Sequence, residues 1–366
     1  MKTHRLTLTL LALLALGGIP AALMLPATAA APELATSHCS FATGQALIEQ
    51  GRYEQAIREF TCLIESDPTA VEGYRGRIEA LVLLGRYSDA VRDSGRVTAL
   101  VLPVHPDGWD TIRAHYDARL AAAPNDLRAL TGASFARWWF FEYTPAIQIL
   151  NRLLELQPHN VYGNLFRGSS RLLKGMTKDK GVADIERALA LAPASAHIRF
   201  IVADAYTYGL PNPQRAFAEA TLALEGGLNT PRIHAILASA YTAFNNPLAA
   251  AAHIQTHLDM VTTELLSATP LVSGGALALD LIPGRTYEIP IPAIAGQPIR
   301  LATSSPDFYD TIAVLLAPDG TPVVGADDVN SYFAELDWPA EATGIYHLQV
   351  TSFESVNTGR LNVNRE

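Results

Sequence analysis

Two common marks of a hydrolase are missing from this sequence: no Gly-x-Ser-x-Gly elbow occurs, and no His-Glu-x-x-His pair. The first absence removes the strand-turn-helix presentation of a serine nucleophile; the second removes paired zinc ligands with their general base. His253 and His257 are four apart on an expected helix, but Ile254 stands where the base would be, so they read as solvated surface histidines. Arg167-Gly168-Ser169-Ser170-Arg171 falls inside a helical pattern, where Gly168 serves close packing. Basic charge is also scarce. With 27 Lys and Arg against 36 Asp and Glu, the formal net charge is −9, which argues against a nucleic-acid partner. The expectation is a non-enzyme that needs no cofactor.

Cysteine is nearly absent, and so are long apolar runs. The one such run, Leu6 to Leu25, follows Met1-Lys2-Thr3-His4-Arg5 and precedes Pro26-Ala27-Thr28-Ala29-Ala30-Ala31. A cationic start, an apolar stretch and small residues at a cleavage site make residues 1–30 a secretory signal peptide, followed by a short linker over 31–39. The alternative is an uncleaved anchor, since about 20 apolar residues suffice to span a bilayer. In either case the rest of the chain is expected outside the cytoplasm, in the periplasm, at the cell surface or secreted, and the membrane is met only through that segment. The two cysteines, Cys39 and Cys62, suit this compartment. If a helix from about Phe41 to Gln50 folds back at Gly51 onto another from Tyr53 to Glu65, the two sulfurs meet. A disulfide there adds roughly 3 kcal/mol by the loop-entropy argument.

What the chain has in abundance is helical periodicity. Gly51-Arg52-Tyr53-Glu54-Gln55-Ala56-Ile57 returns as Gly85-Arg86-Tyr87-Ser88-Asp89-Ala90-Val91, 34 residues later. A helix pair of that length cannot bury its apolar face alone, so successive pairs stack into a solenoid. Gly44, Leu47, Ala56, Phe60 and Pro68 in the first unit, and Tyr74, Leu81 and Ala90 in the second, carry a resemblance to the tetratricopeptide repeat family. Leu127, Leu130, Ser134, Ala146, Leu150, Leu153 and Pro158 outline a third unit, and Gly168, Gly175, Ala188 and Pro193 a fourth. Ala205 with Ala216, and Ala238 with Ala249, keep only the small-residue rhythm. Pro106 to Asn125 interrupts the register as an extra helix with Trp109, Ile112, Tyr116 and Leu120 on one side. The expectation over residues 40–267 is five to six helix pairs plus this helix.

Near Thr269 the pattern changes to short alternating runs divided by Gly, Pro, Asp and Ser, which implies an antiparallel β-sandwich over 268–366 with about eight strands. Ile312, Val314 and Leu316 fall on one strand face, as do Tyr346, Leu348 and Val350; Pro318-Asp319-Gly320 makes a turn. Tyr309-Asp310-Thr311, that turn, Asp327-Asp328 and Gly344-Ile345-Tyr346-His347-Leu348-Gln349-Val350 together resemble the bacterial pre-peptidase C-terminal domain. The resemblance implies a jelly-roll-like module of the sort appended to secreted enzymes, although Arg360 stands where that family commonly has an aromatic. The fold class is therefore multidomain, α then β.

Two sets of side chains stand out as candidate sites. Asp307, Asp310, Asp327 and Asp328 fall in sandwich loops, where convergent carboxylates suit calcium; the competing reading is that each Asp caps its own turn. Arg137-Trp138-Trp139-Phe140-Phe141-Glu142-Tyr143 concentrates five aromatics, most of them expected in the core. The repeat resemblance implies a concave groove lined from the first helix of each pair. Carried over by position, this nominates Glu72, Arg75, Glu79, Arg128, Phe135, Trp138 and Tyr162 for holding a protein or peptide. The function expected is an exported adaptor that joins such a partner to a second surface component. The alternative is a targeting or accessory subunit of a secreted hydrolase, with the sandwich on a polymer.

Overall fold

The repeated Gly-Arg-Tyr stands where one helix turns back into the next. A computed structural model describes residues 39–101, 108–175, 177–306, 310–327, 333–353 and 359–366. The expected signal peptide and residues 31–38 of the linker lie outside the described residues. Helix α1 (Phe41–Glu49) is joined to α2 (Tyr53–Ser66), and α3 (Val71–Leu84) to α4 (Tyr87–Val101), by identical turns. Gly51 and Gly85 adopt φ of 72° and 84°, the left-handed region that glycine enters without a Cβ penalty. The amides of Arg52 and Arg86 then donate five residues back, to Leu47 and Leu81 carbonyls, both at 2.9 Å. The side chain of Ser40 caps α1 by accepting the Thr43 amide at 3.1 Å. Cys39 and Cys62 are disulfide-bonded with Cα atoms 5.9 Å apart, tying the chain entering α1 to α2.

Helix α5 (Gly108–Ala122) follows, then the pairs α6 (Leu127–Trp139) with α7 (Tyr143–Leu156) and α8 (Val161–Leu173) with α9 (Lys178–Leu191). Next come α10 (Ala196–Asp204) with α11 (Pro213–Glu225) and α12 (Pro231–Ala243) with α13 (Pro247–Val261). Among the described residues this makes six pairs plus one helix. A π-turn over Ala205–Gly209 closes α10. One ion-pair design recurs inside the array. Arg77 grips Asp93 through Nε and Nη2 at 2.6 and 2.8 Å and reaches Thr61 on the preceding helix; Arg167 grips Asp184 at 2.8 and 2.7 Å and reaches Asn151. Forked guanidinium contacts of this kind fix geometry as well as energy.

The last helix runs almost directly into sheet. Strand β1 (Glu264–Ser267) begins three residues after α13, earlier than the boundary expected at 268. It is followed by β2 (Ala276–Leu281), β3 (Arg285–Ala293), β4 (Pro298–Ser304), β5 (Thr311–Leu316), β6 (Pro322–Asp327), β7 (Glu335–Pro339), β8 (Gly344–Ser352) and β9 (Gly359–Arg365). They form two sheets, ordered β1-β3-β8-β5-β6 and β2-β9-β4-β7. The antiparallel sandwich of about eight strands expected above is corrected in two details: nine strands are present among the described residues, and β1 pairs with β3 in parallel, because the chain enters that edge straight from α13 with no hairpin to reverse it.

Strand β5, Thr-Ile-Ala-Val-Leu-Leu, is buried at every position, as a continuous apolar run requires when both faces are covered. Ala313 and Leu315 enter the sandwich core with Ile289, Ile291, Tyr346 and Leu348. Ile312, Val314 and Leu316 face the other way, onto Ala250, Ala251, Ile254 and Leu258 of α13 and Ala235 and Ala238 of α12. Alanine on the helices lets the backbones approach, and Gly325 on β6 completes the fit. A Cβ added there would lie 3.0 Å from Cβ of Ile254. Gln255 on α13 also donates to Gln349 on β8 at 3.0 Å.

Solenoid and sandwich thus share a core, and they are expected to unfold together as one calorimetric transition. Gly325→Val should force α13 off the sheet, lower stability by roughly 1–3 kcal/mol, and separate that transition into two; a single unchanged peak in the variant would refute the shared core.

Candidate functional site

The groove expected on the first helix of each pair is mostly closed. Phe135, Trp138 and Tyr162 are only 3%, 6% and 6% exposed, so they belong to the core and not to a groove wall. Phe166 sits at the centre of their cluster, with ring centroids 5.6, 5.0 and 4.6 Å from Phe135, Trp138 and Tyr162. Tyr87 of α4 approaches the same ring from the other side at 5.3 Å. Trp138 Nε1–H donates to Ser169 Oγ at 3.0 Å, and the Tyr162 and Ser134 hydroxyls lie 2.9 Å apart, so the buried polar atoms are satisfied.

Glu79 and Arg128 are consumed by α5. Glu79 is buried and accepts from Arg119 of α5 at 3.1 Å and from Arg128 at 2.8 Å. Arg75 covers the Phe41 ring at 5.2 Å, which leaves Glu72 as the nominated residue that is exposed. Two features close the face. The inserted α5 lays Tyr116 and Arg119 on α3 and α6, and α4 meets α10 across the array through Ser88 Oγ and His197 Nδ1 at 2.8 Å. Asp310 precedes β5 and Asp327 ends β6, whereas Asp307 and Asp328 lie outside the described residues. No group of three or more His, Cys, Asp or Glu is poised to hold a metal among the described residues.

Two concavities of similar volume open elsewhere, one between α12, α13 and β6 and the other where α4, α10, α12 and α13 meet the sandwich; the latter is the one lined by arginines. It encloses about 240 Å³. Its lining is apolar where Val91, Phe200 and Phe353 are buried, with the exposed Met260 beside them, and it also carries Arg92, Arg96 and Arg232. Arg92 pairs with Asp89 at 3.1 Å on its own helix; Arg96 is exposed and makes no ion pair among the described residues. Arg232 bonds Asp204 at 2.8 Å and lies over the Phe353 and Tyr208 rings at 5.8 and 5.4 Å. Sequence reasoning missed all three. Arg92 and Arg96 are four apart on α4, a spacing visible in the sequence, but nothing local brings Arg232 of α12 to them.

His257 forms the inner wall of this cleft, and here the expectation of a solvated histidine is corrected. It is fully buried, with Nδ1 2.9 Å from the carbonyl oxygen of Pro231 on α12 and Nε2 against that of Phe353 at the end of β8. His253 is half-buried, and its ring stacks on Tyr241 at 5.4 Å. These histidines turn inward because α13 is covered by α12 on one side and by the sheet on the other. Burial pushes the His257 pKa below the ordinary histidine range, an effect reinforced by the Arg232 cation and opposed by the two carbonyls. No helix among the described residues is long and apolar enough to cross a membrane.

Comparison with known proteins adds the following. Residues 12–100 match the family described as the bacterial transcriptional activator domain. No curated protein matches the chain. A tetratricopeptide repeat protein from Parabacteroides merdae is similar at 16% identity, over 61% of this chain and 78% of that one, with a TM-score of 0.37. A thermophilic protein of the same repeat type from Thermus thermophilus is similar at 21% identity, over 55% and 97%, with a TM-score of 0.34. The pre-peptidase C-terminal domain of a Bacillus anthracis collagenase is similar at 14% identity, over 28% and 95%, with a TM-score of 0.24. The helical part is a tetratricopeptide-like solenoid. Its helix pairs, stacked in sequence order with a main core that runs from α3 to α12, define that fold without help from the low identities.

Two outcomes follow. Trp138→Ala should cost about 3–5 kcal/mol in denaturant unfolding, the signature of a core residue; a groove residue would leave stability nearly unchanged. For His257 the folded pKa is depressed, so the unfolded chain takes up a proton that the folded chain refuses. Stability should be greatest above about pH 6.5, the ordinary histidine value, and fall as the pH drops below it. His257→Gln, which keeps one N–H donor, should flatten that fall in melts from pH 8 to pH 5.

Proposed function

We propose that this protein is an exported, non-enzymatic interaction adaptor and that its partner seat is the cleft at the junction of solenoid and sandwich. The observation that carries the reading is the combination of an apolar floor with the Arg92, Arg96 and Arg232 rim, in a chain whose net charge is −9. Local positive potential in an acidic molecule selects a partner segment of opposite charge. Aromatic and aliphatic floor residues beside arginines supply the energy that such short segments need. The partner chemistry is therefore an acidic peptide segment with an aromatic or large aliphatic side chain.

Export is supported by the signal-like pattern of residues 1–30 and by the Cys39–Cys62 disulfide, which suits an oxidising compartment. The sandwich is read as a pre-peptidase C-terminal-like module whose role is to frame the cleft and hold it at a fixed angle to the repeats.

The test is binding of a panel of acidic peptides bearing one aromatic residue, with basic and scrambled counterparts, to the full-length protein by fluorescence anisotropy. Acidic peptides should bind, weaken with salt, and lose at least about 10-fold in affinity, or 1.4 kcal/mol, in Arg92→Glu/Arg96→Glu. Binding that ignores peptide charge, or survives in that variant, overturns the cleft as the seat.

A further inference from the structure

The second concavity, between α12, α13 and β6, runs along the open edge of a sheet. Strand β6 is the last in its sheet and is hydrogen-bonded to β5 on one side only. Val323 to Ala326 make no backbone hydrogen bond beyond β5 among the described residues. In an antiparallel pair, alternate residues turn N–H and C=O away from the partner strand, and on an edge those groups are free to pair with another chain. Val324, Gly325, Ala326 and Asp327 all line the concavity, which encloses about 240 Å³. Val324 and Ala326 pack toward the sandwich core, whereas Gly325 faces Ile254 of α13. Consecutive residues that point to opposite faces border one common space only along the backbone edge of their strand. The opposite wall is one stripe of α12, carrying Ala238, Ser239 and Thr242.

We infer that this groove is a strand-addition seat, in which an extended segment of a partner protein bearing basic side chains pairs with β6 and prolongs the five-stranded sheet. The bordering side chains of α12 are small, so an incoming main chain can approach the edge closely. Main-chain hydrogen bonds then supply affinity, and flanking side chains supply selectivity. At about 3.3 Å per residue, the bordering stretch of β6 pairs with roughly four residues of the partner. The charge of the groove sets the sign of that partner. Asp327 at the end of β6 and Glu335 at the start of β7 border it, and no Lys, Arg or His does so among the described residues. Glu335 is exposed and makes no ion pair among the described residues. In a chain of net charge −9 the local potential favours Lys or Arg on the incoming segment. The same argument disfavours a second copy of this chain, because two acidic edges would then face each other. The arginine cleft selects the opposite charge, so the two seats do not compete for one segment.

The experiment uses the full-length protein and a capped, fluorescent peptide of alternating Val and Thr flanked by Lys. Its controls are the same peptide N-methylated on one or the other alternate set of backbone nitrogens, and a peptide with Glu in place of Lys. The Lys peptide should bind saturably by fluorescence anisotropy and should slow hydrogen exchange of the β6 amides, read by mass spectrometry. N-methylation removes donors and keeps the charge, so the set that faces β6 should lose at least about 10-fold in affinity. The Glu peptide should bind more weakly than the Lys peptide. Thr242→Trp, which narrows the groove, should abolish binding, and Glu335→Lys should weaken it; both positions are exposed, so each variant should fold. No saturable binding up to about 1 mM, an affinity indifferent to both N-methylations, or protection that falls outside β6 overturns the inference. Self-association in sedimentation velocity that is lost in Thr242→Trp overturns it in favour of a second copy.

Discussion

The alanine face of α13 against strands β5 and β6 is the contact on which the rest of this molecule depends. Apolar burial has no direction of its own, so the angle between two domains is set by how closely their backbones can approach. Here approach is close because Ala250 and Ala251 meet Ile312 and Val314, and because Gly325 keeps the strand free of a Cβ. His257 then adds direction. It is a buried imidazole between carbonyls from two different elements, and it makes sliding of the sheet along the helix costly. The cleft with its three arginines exists only because this joint is fixed. One rim comes from α4 and another from α12, while its closing residues Gly284 and Phe353 belong to the sandwich.

The architecture was legible in the sequence to the extent that local chemistry repeats. Gly51 and Gly85 announce the turn inside the first two pairs, and the same turn recurs where the glycine does not. Phe141 and Asn245 take φ of 59° and 57°, and the amides that follow them, Glu142 and Asn246, again donate five residues back at 2.9 Å. Backbone geometry was kept while the residue that advertises it was replaced, so the echo fades from view although the fold does not. Phe141 is 78% exposed, so the backbone bonds of the turn, and not side-chain packing, hold it in a conformation it would not choose alone. The sandwich was legible for a related reason: turn residues and alternation mark each strand. Its parallel first strand was not, since parallel pairing is decided by where the preceding helix delivers the chain.

The candidate site was much less legible, and the groove residues show why. Position within a repeat says which side of a helix a residue takes. It does not say whether that side meets solvent. Glu79 and Arg128 do share a face, as the repeat register required, and they find each other and Arg119 there because α5 has been inserted across it. Phe135, Trp138 and Tyr162 also share a face, which the contact of α4 with α10 converts into core. The recurring Arg-to-Asp forks, Arg77 with Asp93 and Arg167 with Asp184, could have been found as a repeated pair 16 or 17 residues apart. They tie the helices of one pair together and say nothing of a ligand.

An acidic chain with a basic cleft invites the question of why its own carboxylates do not neutralise it. Part of the answer is that they do so only in part. Asp89 takes one nitrogen of Arg92 and also accepts from Arg86, Asp204 takes Nε of Arg232, and Arg96 makes no ion pair among the described residues. The Asp204 contact holds Arg232 over Phe353, which is itself bonded through its carbonyl to His257. Arg232 is therefore positioned by the same elements that join the two domains. A segment that engaged Arg232 and Phe353 would act on the joint as well as on the rim, so occupancy of the cleft and rigidity of the junction would be coupled through shared residues, by the same amount in both directions.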